Sequence, residues 1–174
     1  VIAARNKLND ALILAASPEQ AKAIKAQMAE LAKEWLFGPA VIAGDELCDS
    51  YTVKRGDSFA VIGSRFKVPY EILMKINNIA RPESLPAGRP IKVVKGPFHA
   101  KVYRSTFTMD LYLRDTYVRT FRIGIGRPDH ETPTGQWRVR EGGKLVKPTW
   151  TDPDTGRVYK ASDPDYPLGS RWIA

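Results

Sequence analysis

The pattern that most constrains the fold lies between residues 51 and 94. Tyr51-Thr52-Val53 reads as a short strand, and Lys54-Arg55-Gly56-Asp57-Ser58 as a turn whose Asp57 or Ser58 caps a helix opening near Phe59. Phe59, Ile62 and Phe66 fall at helical spacing. Val68-Pro69 stops that helix and starts a second, which turns Ile72, Leu73 and Ile76 inward and ends at Asn77-Asn78. Leu85-Pro86-Ala87-Gly88 is a turn, after which Ile91, Val93 and Val94 supply another strand. Two helices on a two-stranded sheet make a small core, which about 45 residues can manage when the turns are tight.

The flanks read differently. Residues 1–37 are predicted to form a helical hairpin. Ala4, Leu8, Ala11, Leu12 and Ala15 recur at helical spacing, and Ser17-Pro18-Glu19-Gln20 is a restart signal with a capping serine, a proline suited to the first turn and a glutamine able to reach back. Ile24, Met28, Leu31 and Trp35 then line one face before Gly38-Pro39 ends the helix. This pair is either a partner-binding element or a spacer packed on its neighbour. Residues 38–50 read as a linker that contains Cys48 among Asp45, Glu46 and Asp49, carboxylates that raise a thiol's pKa and so make it a spectator. Residues 96–174 are strand-rich. Segments 100–103, 106–113 and 117–124 alternate apolar and polar residues, with a turn at Arg114-Asp115-Thr116, and Gln136-Trp137-Arg138-Val139-Arg140 is expected to be a further strand. The fold class is therefore α+β.

Hydrophobic residues make up 43% of the chain, which places it among globular proteins rather than disordered ones. The net charge of +8 concentrates after residue 50. It suits an anionic partner, but no recognition helix or aromatic nucleic-acid motif accompanies it, so no nucleic acid is expected. No apolar run is long enough to span a bilayer. Cys48, His99 and His130 fit no metal-ligand spacing, so no metal is expected. Gly124-Ile125-Gly126 lacks the third glycine of a dinucleotide loop, where Asp129 stands. Asp152-Pro153-Asp154 and Asp163-Pro164-Asp165 are better read as turns than as calcium ligands or glycosidase acids.

The 51–95 pattern resembles the lysin motif (LysM), a βααβ module that binds N-acetylglucosamine-containing glycans. The resemblance implies sugar contacts in two loops, Gly56, Asp57 and Ser58 in one and Asn77, Asn78, Ile79 and Arg81 in the other. After it, Gly96-Pro97-Phe98, the hairpin from Met109 to Gly126, the Thr132-to-Val139 segment and the closing Tyr166-Pro167-Leu168-Gly169-Ser170-Arg171-Trp172-Ile173-Ala174 are together similar to the front part of an L,D-transpeptidase catalytic domain. The expected organisation is thus 1–37 hairpin, 38–50 linker, 51–95 LysM-like module and 96–174 partial, mainly-β catalytic sandwich.

That second resemblance implies peptidoglycan cross-linking by acyl transfer through a cysteine acyl-enzyme, with no cofactor. Peptidoglycan glycan and stem peptides are the implied partners, and the cell envelope, periplasmic or extracellular, the implied location, with a signal sequence expected upstream of Val1. The family's histidine and its Ser-His-Gly-Cys signature lie downstream of the Pro-Leu-Gly-x-x-Trp region, so no catalytic residue is expected within these 174 residues and the full-length parent is expected to carry the activity. Leu168, Gly169 and Trp172 are candidates to support the acyl-donor pocket. The alternative is a non-catalytic wall-binding protein.

Overall fold

The computed structural model describes residues 1–140 and 142–173; Ala174, the last residue of the closing segment, lies outside the described residues. Two compact units divide the chain, residues 1–122 and 123–174.

The first unit opens with α1 (Ile2–Ile13) and α2 (Pro18–Trp35). Ser17 Oγ accepts the Gln20 N–H at 3.1 Å, and Gln20 Oε1 accepts the Ala16 N–H at 3.0 Å, so two free donors at the start of α2 are satisfied reciprocally. Ile24, Met28, Ala32 and Trp35 form the buried face of α2, spaced for one side of a 3.6-residue helix.

The module anticipated over 51–95 follows: β1 (Cys48–Thr52), α3 (Phe59–Phe66), α4 (Tyr70–Ile76) and β2 (Pro90–Val94). β1 and β2 pair antiparallel, from Cys48 opposite Val94 to Thr52 opposite Pro90. Ser58 is the residue that caps α3, accepting the Val61 N–H at 3.3 Å. Lys67 closes α3 in the left-handed conformation, and Pro69 stands at the start of α4. Cys48 is no linker residue: it opens β1 and is buried in the core. The strand begins earlier than its apolar pattern suggests because Lys95 N–H bonds Leu47 O and the ladder continues to Cys48.

Three antiparallel strands complete the unit, β3 (Phe98–Tyr103), β4 (Thr108–Leu113) and β5 (Thr116–Arg122), in the order β3-β4-β5. Gly96 makes the passage from β2 to β3 possible, since a Cβ there would lie 2.1 Å from the Lys67 carbonyl oxygen. A register shift between Leu111 and Tyr112 leaves Leu113 and Val118 buried with the β1–β2 core while Tyr112 and Tyr117 pack toward α1 and α2.

The second unit is sparser in regular structure. β6 (Lys144–Val146) pairs with β9 (Arg171–Ile173), and β7 (Trp150–Thr151) pairs with β8 (Val158–Tyr159) around stacked Trp150 and Tyr159 rings. Residues 136–140 form no strand. An extended segment becomes a strand only when a partner takes its backbone bonds, and none of the strands described pairs with it. Trp137 is 74% exposed.

Candidate functional site

Antiparallel pairing places the loop leaving β1 and the loop entering β2 at one end of the two-stranded sheet. Val53 N–H donates to Arg89 O at 3.0 Å and Gly88 N–H to Val53 O at 2.8 Å, which draws the two loops together at their bases. The seven candidate glycan residues sit in these loops and divide by what their side chains do.

Asp57 turns back into its own loop. Its Oδ2 accepts the Tyr51 hydroxyl at 2.7 Å and the Lys54 N–H at 2.8 Å. The Tyr51 hydroxyl bond, followed by the Lys54 amide, holds the Asp57 carboxyl below its ordinary pKa, and the same carboxylate raises that of Tyr51. Arg65 Nη1 donates to the Tyr51 oxygen, its guanidinium lies over the Tyr51 ring, and Phe66 meets that ring edge-on. Gly56, at φ +86°, occupies the left-handed region in open space. Ser58 caps α3 and remains exposed.

In the second loop Asn77 is a clamp. Its Nδ2 donates to Leu73 O and Lys92 O, and its Oδ1 accepts the Lys92 N–H, all at 2.8 Å, which ties the end of α4 to β2. Ile79 is buried in the core. Asn78, at φ +54°, and Arg81 are exposed. Gly56, Ser58, Asn78 and Arg81 are therefore presented to solvent, while Asp57, Asn77 and Ile79 fix the loops that carry them. Exposed Lys54, Arg55, Arg65 and Arg89 stand in or beside these loops and make this end of the module basic.

Leu168, Gly169 and Trp172 lie in the second unit. Leu168 is half-buried, Gly169 exposed at φ +39°, and Trp172 sits on β9 opposite Leu145, 39% exposed. Neither histidine meets a thiol: the His99 ring stacks on Tyr112 at 5.5 Å, and His130 Nε2 lies 3.0 Å from Asp154 Oδ1. Burial above all, and then Asp45, pushes the Cys48 thiol up to about 12, although Lys92 opposes the shift. A thiol protonated at neutral pH inside a core is no nucleophile. Burial is thus a larger cause of its inertness than the neighbouring acids that the sequence points to. Among the described residues no cluster of three or more metal-ligating side chains occurs, and no helix is long and apolar enough to cross a membrane.

Several structural residues escaped the sequence reading: Arg5, Lys25, Arg65, Lys92 and Asp110. Lys92 leaves one signal, a lysine within the apolar run Ile91-Lys92-Val93-Val94. The others look like ordinary solvated charges in sequence.

The fold is a βααβ module followed by β-rich segments. A LysM domain model matches residues 51–94, and an L,D-transpeptidase catalytic domain model matches residues 97–173. The chain carries a LysM domain followed by an L,D-transpeptidase-type domain, in that order. It is similar to two proteins that carry the name L,D-transpeptidase YkuD. One, from Bacillus subtilis (strain 168), is 24% identical over 132 residues, covering 72% of this chain and 68% of that protein. The other, from Bacillus licheniformis, is 24% identical over 131 residues, covering 71% and 68%. Among solved structures, a MoCVNH3 variant in complex with (N-GlcNAc)4 aligns at 17% identity and a TM-score of 0.28, over 43% of this chain and 54% of that one. A TM-score that low carries no structural argument.

Proposed function

We propose that the full-length protein is a peptidoglycan L,D-transpeptidase of the cell envelope, held on its substrate by the LysM domain. The observation that carries this reading is the succession of a glycan-reading module and a transpeptidase domain in one chain. Gly56, Asp57, Ser58, Asn77, Asn78, Ile79 and Arg81 form the glycan site. Gly56, Ser58, Asn78 and Arg81 offer backbone and side-chain polar groups to N-acetyl and hydroxyl groups, and Asp57, Asn77 and Ile79 hold the loops in place. The reaction is attack of a cysteine thiolate on a donor stem-peptide carbonyl, which breaks the amide bond and releases D-alanine, followed by attack of an acceptor amine on the thioester, which forms the new amide and frees the thiol, with no cofactor. Leu168, Gly169 and Trp172 support the donor pocket. The nucleophile is not Cys48, whose thiol is sealed in the core.

Retention on insoluble peptidoglycan tests the binding half. The folded chain is expected to stay on washed sacculi at moderate salt, and flow-through under those conditions overturns the glycan reading. Retention that vanishes entirely with salt reduces it to charge attraction. Extending the open reading frame tests the catalytic half: a histidine followed by Ser-His-Gly-Cys supports it. A non-catalytic wall-binding protein is the second reading, and a reading frame that continues without that signature supports it.

A further inference from the structure

Residues 1–37 lie outside both domain matches, yet they touch both domains. One end of α2 belongs to the LysM side. Ala32, Trp35 and Leu36 share a core cluster with Phe59, Ile62, Leu73, Ile76 and Ile91 of the module. Lys92, only 2% exposed, reaches from β2 to the end of this helix and donates to Trp35 O at 2.6 Å and Gly38 O at 2.8 Å. The ammonium group thus meets the last carbonyl of α2, Trp35 O, where the helix dipole is negative, together with a carbonyl of the turn that follows. Arg5 of α1 forms a buried ion pair with Asp45 at 2.9 Å, and its guanidinium lies over the Trp35 ring.

The other end of the hairpin belongs to the transpeptidase sheet. Ile24 and Met28 bury Tyr117 of β5, joined by Leu8, Ala11, Leu12 and Tyr112. Lys25 pairs with Asp110 of β4, whose side chain is almost wholly buried and also accepts the Thr120 hydroxyl at 2.6 Å. Asn9 brackets the β4–β5 turn, donating to Asp115 O at 3.2 Å and accepting the Tyr117 N–H at 3.1 Å. The two domains also share core, because Leu113 and Val118 of the sheet pack in the cluster of Val93 and Val94.

We infer that residues 1–37 are an intramolecular splint that makes the LysM domain and the β3–β5 sheet of the transpeptidase domain one rigid body. A flexible tether would only raise the local concentration of substrate. A splint does more: it holds the glycan loops at a fixed distance and angle from the first sheet of the catalytic domain. Binding a strand at Gly56–Ser58 and Asn77–Arg81 then sets which part of that strand the sheet faces. This consequence rests on the proposed glycan reading; the rigidity itself does not.

Two measurements on the full chain test it, and neither needs glycan. Spin labels at Glu83→Cys in the second LysM loop and Ser105→Cys beyond β3 give a distance distribution by pulsed electron resonance, with Cys48 shielded by burial. A single narrow distribution is expected, and the paired variant K25A/K92M is expected to broaden it at least twofold. A broad distribution in the parent chain, or no broadening in a folded K25A/K92M protein, overturns the splint. Should that variant fail to fold, native-state hydrogen exchange decides on the parent chain alone. Amides of α2, β2 and β5 are expected to open together with one common protection, whereas separate openings for β2 and β5 overturn the inference. Failure to bind sacculi, with the distance still narrow, would sink the glycan reading and leave the splint standing.

Discussion

At the scale of single residues, Asp57 and Cys48 carry opposite lessons. Asp57 lies in the first loop of the proposed glycan site, but its carboxylate is occupied by Tyr51 and Lys54. Asp57→Ala is therefore expected to loosen the loop and weaken retention on peptidoglycan severalfold, while Arg65→Ala, which removes a brace on Tyr51, weakens it less; unchanged retention for Asp57→Ala would remove Asp57 from the site. Because the folded pKa of Asp57 is depressed, its contribution is present above the ordinary value of 3.8 and is lost as pH falls through the lower folded value. A carboxyl titration followed by nuclear magnetic resonance should place its midpoint below 3.8. A midpoint at or above that value would mean the Tyr51 bond is not formed. Cys48, with its thiol pushed up to about 12, is expected to react with an alkylating reagent near neutral pH only as fast as the protein opens. Rapid labelling of the native protein would contradict its burial. The burial of Cys48 was not legible in its neighbours, because three nearby acidic residues make the segment look solvated.

At the scale of elements, α2 is where local sequence and tertiary packing meet. Its start is written in Ser17-Pro18-Glu19-Gln20, and its buried face in Ile24, Met28 and Trp35. Its end depends on Lys92, a residue far along the chain. Lys92→Met keeps the side-chain length and removes the donor, so it strands the Gly38 carbonyl, leaves Trp35 O with only the weak Cys48 thiol donor, and is expected to destabilise the protein by about 1–3 kcal/mol. Asp110→Ala leaves Lys25 without its carboxylate partner, whereas Lys25→Met leaves a buried carboxylate with only the Thr120 hydroxyl and should cost more, about 3–5 kcal/mol. Denaturant melts of the three single variants check both values, and equal small losses for Lys25→Met and Asp110→Ala would mean that the Lys25–Asp110 pair is solvated. The strand expected over 136–140 shows the opposite limit. Its alternation of side chains is present, but alternation describes only the faces of a strand and cannot supply the neighbour that takes its backbone bonds.

At the scale of the whole molecule, the division at residue 122 cuts through the region that matches the transpeptidase domain, since β3–β5 pack with the LysM domain and the hairpin. Limited proteolysis is expected to cleave within 123–140, where backbone pairing is sparse, and to leave residues 1–122 as a resistant product identified by mass spectrometry. Earliest cleavage between 38 and 47, separating the hairpin from the module, would contradict a shared core. The sequence by itself determined the βααβ module, the hairpin's two helices, the β4–β5 turn and the order of the two domains. The module, the two helices and the turn rest on local rules: capping, proline and glycine positions, and periodicity within a few residues; the domain order rests on the resemblance of the motifs to two known families. Only the tertiary structure decided that Asn77 is a clamp, that Lys92 is buried, that Cys48 begins a strand, and that the hairpin joins two domains. Those outcomes depend on partners distant along the chain, where the sequence records each residue's chemistry but not what lies opposite it.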